Sequence, residues 1–227
     1  MSRLFVQPHS WKTASSESRI DMFITFEGID ASGKTTQLEL LETELKKSGF
    51  NVLVTRQPGG TQIGQLIRQI LLNPENTQLV PEAEVLLYMA DRIQHIKEVI
   101  LPALAKNRIV LCDRYHDATL AYQGGGRQLD LSWLEQLQEK HIIAPDLTLW
   151  FDISVEQSQD RLKQRNQSLD VENCRLESEN SLFFNRVRSE YARLCQKKGD
   201  RFIQIEASED ISSIQRHVLK IVLDRLN

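Results

Sequence analysis

Gly28-Ile29-Asp30-Ala31-Ser32-Gly33-Lys34-Thr35 carries the spacing G-x-x-x-x-G-K-T. In a chain of 227 residues this pattern arises by accident with odds of roughly one in a hundred. Its chemistry is anion binding. Glycines let successive backbone N–H groups turn inward around an anion, and the start of a following helix adds partial positive charge. Lys34 can then reach the β- and γ-phosphates of a nucleoside triphosphate, and the Thr35 hydroxyl can ligate Mg²⁺. The expected cradle is Gly28, Ile29, Asp30, Ala31, Ser32, Gly33, Lys34, Thr35 and Thr36. An N-K-x-D guanine reader and an L-S-G-G-Q signature are both missing from the sequence. A small P-loop chain without either points to transfer of the γ-phosphoryl to a small acceptor.

Four further stretches carry charge or aromatic surface suited to that acceptor. "TRQPGGT" puts Arg56 just after a strand-like run, where open parallel sheets bind ligands, and Arg can fork onto a phosphate. "LCDRYHDATLAYQGGGR" ends an apolar run in Asp113, the position of a carboxylate that holds a metal-bound water. Arg114 beside it could clamp phosphate, or simply pair with Asp113. Tyr122, Gln123 and the three glycines after them suggest a loop that closes on something flat. "YMADR" sets Tyr88 and Arg92 four residues apart on one helix face. They could stack a base and read its carbonyl edge, or be a core tyrosine and a surface cation. Arg161, Arg165 and Arg175 stand in a polar segment with no glycine. This reads as a charged helix and loop, or as a mobile lid carrying cations over the phosphates and excluding water.

These groups need a frame, and the apolar pattern supplies one. Strand-like runs at 22–27, 51–55, 108–113, 147–153 and 201–205 alternate with helix-like segments at 34–48, 61–72, 81–105, 131–140, 154–166, 180–198 and 210–226. That alternation predicts an α/β fold, a parallel sheet with helices on both faces. Gly49 should close the first helix, and Pro102 should kink or end the third. Hydrophobic content of 41% with 26% charged residues suits one domain with a real core. A net charge of −3 gives no basic footprint for nucleic acid. No apolar run approaches the ~18 residues of a membrane span, and three cysteines without metal-ligand spacing fit a cytoplasmic protein. Residues 1–21 carry five serines and Pro8 without apolar periodicity. They are expected to be a disordered extension or an upstream start that is not used, with the domain covering 22–227.

"FEGIDASGKTT", "TRQPGGT", "YMADR", "CDRY", "AYQGGGR", "PDLTLWFDI" and "FFNRVRSEY" together resemble the bacterial thymidylate (dTMP) kinases, in order and spacing, from about residue 22 to the end. The resemblance implies a P-loop NTPase fold, a three-layer α/β/α arrangement with a five-stranded parallel sheet and a lid at about 161–178. It implies ATP and Mg²⁺ as the donor system, the reaction dTMP + ATP ⇌ dTDP + ADP, and a homodimer built on helices 61–72 and 81–105. By position, Arg56 and Arg114 would hold the dTMP phosphate, Tyr88 would stack on thymine and Arg92 would bond its O4. Thr119 would reach the N3 side, Tyr122 would pack on deoxyribose, Gln123 would border the same pocket, and Asp30 would lie near the 3′-hydroxyl and phosphate. Lys34, Arg114, Asp30 and a lid arginine would then form the catalytic set. No cation lies inside the P-loop apart from Lys34, so Arg165 or Arg175 is expected to meet the transition state, with Arg161 ranked after them. Two departures stand out. Gln57 occupies a place the family usually gives to Glu, and the lid reads Asn173-Cys174-Arg175 with extra residues upstream. The alternatives are a kinase for UMP or AMP, and a P-loop protein that binds ATP without transferring it.

Overall fold

The computed structural model describes residues 21–226. Residues 1–20, most of the expected extension, lie outside the described residues. Five strands, β1 (Met22–Glu27), β2 (Val52–Arg56), β3 (Ile109–Asp113), β4 (Leu147–Asp152) and β5 (Phe202–Glu206), form one sheet. The order is β2-β3-β1-β4-β5 and every pairing is parallel. The expected strands are present with ends shifted by a residue or so.

Residue alternation explains the layers. Along β1, Met22, Ile24 and Phe26 enter one core and Phe23 enters another. Along β3, Ile109 and Leu111 join the first, while Val110 and Cys112 join the second. All six β1 residues are buried, as required of a central strand covered on both faces. The helix Lys34–Lys47 follows β1 and buries Leu38, Leu41 and Leu45. Gly49, at φ 88, closes it as expected.

Two helices differ from the sequence expectation. The third runs from Pro81 through a π-helical turn at Ile96–Ile100, where Leu101 N–H bonds back to Ile96 O, and then ends at Leu104. Pro102 is thus absorbed by widening the helix just before it. The second case is a correction: the triple-glycine stretch is not a loop. Residues 116–126 are helical, His116–Thr119 followed by a π-helical run Leu120–Gly126. Its glycines permit close packing. A Cβ on Gly126 would stand 2.5 Å from Phe183 Cε2, and one on Gly125 would stand 2.7 Å from Glu190 Cβ. The helix Ser181–Lys198 therefore lies flush against this segment.

The segment expected to be a lid is built from both ends. The helix Val155–Leu169 extends beyond its expected end and is stopped by Asp170 in the left-handed region at φ 51. The chain then returns toward Asn180, whose side chain caps the helix Ser181–Lys198 by accepting from Phe183 N–H.

Candidate active site

The carboxyl ends of the strands deliver the functional groups, because β1, β2 and β3 finish at one edge of the sheet. The P-loop leaves β1 at Gly28, with φ 137, where a Cβ would meet Phe151 O at 2.5 Å. Only glycine fits that approach. Gly33, at φ 90, then starts the helix that presents Lys34 and Thr35. Lys34 Nζ donates to Ile29 O at 2.7 Å and to Ser32 Oγ at 3.3 Å, so it lies folded within the loop it serves. Burial, then the neighbouring Arg114, pulls its pKa down to about 8.

Thr35 Oγ1 donates to Asp113 Oδ2 at 3.0 Å, although 78 residues separate them. A hydroxyl and a carboxylate side by side supply the hard oxygen donors that Mg²⁺ prefers. The next residue, Arg114, sits at φ 65, a costly conformation for a side chain with Cβ. Its guanidinium bonds Gly28 O and Asp30 Oδ1, both at 2.7 Å, and lies 4.9 Å from the centre of the Tyr122 ring. Burial tends to raise the Asp30 pKa, but Arg114 and Lys34 outweigh it and hold the carboxylate below its usual range. Tyr122 Oη donates to the other Asp30 oxygen at 3.2 Å.

Beyond this cluster a cavity opens between the P-loop, the ends of β2 and β3 and the helix that starts at Pro81. Asp30, Tyr88, Arg92, Arg114, Thr119, Tyr122 and Gln123 all line it. Arg92 is fully buried and held on neutral groups: Nε donates to Gln57 Oε1, and Nη2 donates to Thr119 Oγ1 and Tyr115 O. That bracing also gives Gln57 a role. With its oxygen engaged by Arg92, its amide nitrogen at 2.9 Å must donate to His95 Nδ1, so the proton of His95 sits on Nε2, 2.6 Å from Thr55 Oγ1. Burial, then Arg92, lowers the His95 pKa to about 4 and keeps the ring neutral at physiological pH. Gln123 is less free than the sequence suggested, since its amide donates to buried Glu84 at 2.6 Å.

Arg56 ends β2 exposed, in the adjoining cleft with Lys34, Thr35, Asp113, Arg114 and Arg165. A third cavity continues past Ala31, Ser32, Gly33, Lys34, Thr35 and Thr36 to Arg161, Ala207 and Ile211. Shared residues make the three continuous: Asp30 and Arg114 border the first two, Lys34 and Arg165 the last two. The two arginines expected first for the transition state diverge. Arg165 borders the cleft and pairs with Glu177 at 2.7 Å, whereas Arg175 turns away to Glu84 and to Leu71 O. Sequence reading missed Arg68, which borders both the cavity and the cleft, and Glu177, which does the same from the lid. Arg68 lies on the polar side of a helix whose other side exposes Ile63, Leu66 and Ile70, and in sequence it looks like any solvated cation.

The thymidylate kinase family model matches residues 26–218, more than four-fifths of the chain. The chain belongs to the thymidylate kinase family. Among its relatives, a thymidylate kinase of Exiguobacterium sp. is 44% identical over 207 residues, covering 90% of this chain and 95% of the relative. That of Pelotomaculum thermopropionicum is 46% identical over 200 residues, covering 87% and 91%. The crystal structure of thymidylate kinase from Ehrlichia chaffeensis superposes with a TM-score of 0.71 at 33% identity, covering 89% of this chain and 98% of that one. Membership makes this protein a phosphotransferase, and its five-stranded parallel sheet is the P-loop NTPase fold expected from the sequence. Among the described residues no helix is long and apolar enough to cross a membrane.

Proposed function

We propose that this enzyme passes the γ-phosphoryl of ATP to the phosphate of dTMP, giving dTDP and ADP. The observation that carries the reading is the continuous cleft, with the P-loop at one end, Arg92 and Tyr88 at the other, and Arg114 at the junction. An oxygen of the acceptor phosphate forms the new P–O bond as the bond from Pγ to the β,γ-bridging oxygen breaks. The acceptor is a dianion at neutral pH, so no base has to remove a proton. Catalysis is therefore positioning and charge neutralisation.

Lys34 and the P-loop N–H groups hold the donor polyphosphate. Arg56, Arg114 and Arg68 draw the acceptor phosphate toward it, and Asp30 orients Arg114. Tyr88 stacks the base, Arg92 and Thr119 read its edge, and Tyr122 crowds the 2′ position of the sugar. Thr35 and Asp113 are the groups that would hold Mg²⁺, which supplies charge neutralisation on the donor phosphates when bound. Arg165 is the lid cation for the transition state, supported by its place on the cleft, whereas Arg175 is engaged by Glu84 and Leu71 O. The exposed apolar stripe Ile63, Leu66 and Ile70, with Leu86 on the next helix, supports a homodimer built on these two helices. A cytoplasmic location fits the chemistry.

Incubation with γ-labelled ATP and dTMP, UMP or AMP tests the proposal directly. Label should appear in dTDP far faster than in the other diphosphates. Preferential labelling of UDP or ADP would reassign the acceptor, and binding of ATP without transfer would reduce the protein to a nucleotide-binding module.

A further inference from the structure

The helix Gln62–Leu72 has no basic residue in its last turn, yet its final carbonyls need donors and its negative end favours a cation. The lid supplies both. Arg175 N–H donates to Leu72 O at 3.1 Å, and its Nε donates to Leu71 O at 2.9 Å. Its Nη2 reaches Glu84 Oε2 at 2.5 Å, and Glu84 is fully buried. One residue thus ties the returning lid strand to the end of one helix and to the start of the next.

The neighbours of this tie face the other way. Cys174, Leu176 and Glu177 line the acceptor cavity opposite Tyr88 and Arg68. Glu177 then connects the two halves of the lid: one oxygen accepts from Cys174 N–H at 3.0 Å, the other from Arg165 Nη2 at 2.7 Å. Glu84 links this tie to the cavity, since its second oxygen accepts from Gln123, which lines it.

We infer that Arg175 is a positioning residue, a latch that holds the lid down as the outer wall of the acceptor pocket and, through Glu177, sets Arg165 toward the phosphates. The inference rests on the acceptor-pocket reading above. It separates two jobs within one lid: Arg165 acts on the donor phosphates, whereas Arg175 acts on how readily the pocket closes around dTMP. An enzyme that spends only a tenth of its time latched should show about a tenfold higher KM for the acceptor. Its turnover at saturation should change little, because bound dTMP itself pulls the lid shut.

Steady-state kinetics of Arg175→Ala with each substrate varied in turn test this, together with hydrogen exchange at amides 173–179. The expected result is a KM for dTMP raised about tenfold or more, a KM for ATP and a kcat within about threefold of the parent, and faster exchange in the lid. Arg175→Lys keeps the charge opposite Glu84 and the backbone bond to Leu72 O but lacks the fork that also serves Leu71 O, and should recover part of the loss. It also provides the same measurement if the alanine variant folds poorly. A collapse of kcat at saturating substrates with KM unchanged would make Arg175 a transition-state group and overturn the latch. So would an equal rise in both KM values, or no change at all. Arg92→Gln serves as the separate control: an unaltered KM for dTMP there would sink the pocket reading itself, whatever Arg175 does.

Discussion

Lys34 shows how a buried cation can be made conditional on its ligand. In the free protein it is enclosed by the P-loop and stands near Arg114, which lowers its pKa to about 8. A bound polyphosphate favours the charged form and must raise that value. The sign follows: below pH 8 the ammonium is present before binding, and above it a proton must be taken up. Affinity for ATP should therefore fall by up to about tenfold per pH unit above 8, with proton uptake visible by calorimetry in buffers of different ionisation enthalpy. A pH-independent affinity from 7 to 9.5 would refute the shift. Lys34→Met should remove the slope along with most of the binding. The spacing of Gly28, Gly33, Lys34 and Thr35 was legible in sequence because the cradle is made by consecutive residues. Arg68 and Glu177 were not, since nothing nearby in sequence tells a pocket-facing charge from a solvated one. Gln57 was legible as a departure, but its function depends on Arg92 and His95, 35 and 38 residues away.

The helix Val155–Leu169 carries Arg165, which borders both the central cleft and the cavity beyond the P-loop, and its rigidity matters for aim. Arg165→Ala should lower kcat by about 10³-fold or more, the scale of losing a transition-state arginine, with small changes in either KM. Single-turnover measurement of the chemical step checks it, and near-normal turnover would remove Arg165 from the mechanism. The contrast with Arg175→Ala is then one of parameters, kcat against KM, from two arginines ten residues apart. The element read least well was 116–126. Three consecutive glycines argue for a turn on local grounds, because each loses much backbone freedom on ordering. Here Phe183, Leu131 and Glu190 press so close that no side chain would fit, and burial against the helix Ser181–Lys198 outweighs that preference. Thr119 and Tyr122 gain fixed directions as a result, which a loop would not give them.

The apolar stripe proposed to meet a second copy and the proposed acceptor pocket share one helix. Ile63, Leu66 and Ile70 face outward from Gln62–Leu72, while Arg68 borders the pocket and Leu71 and Leu72 receive the latch. Leu66→Glu should therefore shift the protein toward particles of one chain's 26.2 kDa mass, measured by light scattering, and should raise the KM for dTMP at dilute enzyme. A stable dimer in that variant would place the interface elsewhere. Apolar alternation sufficed to show five strands, the layers around them and the donor end of the site. Those features follow from periods of two and of about 3.6 residues and from one contiguous loop. The acceptor end had to await the fold, apart from its family resemblance. It is assembled from β2, β3, four helices and the lid return, and whether Arg175 meets a phosphate or a helix end depends on contacts across about a hundred residues. Such contacts cost chain entropy that only the packed core repays, so they exist in the folded molecule and leave no periodic trace in the chain.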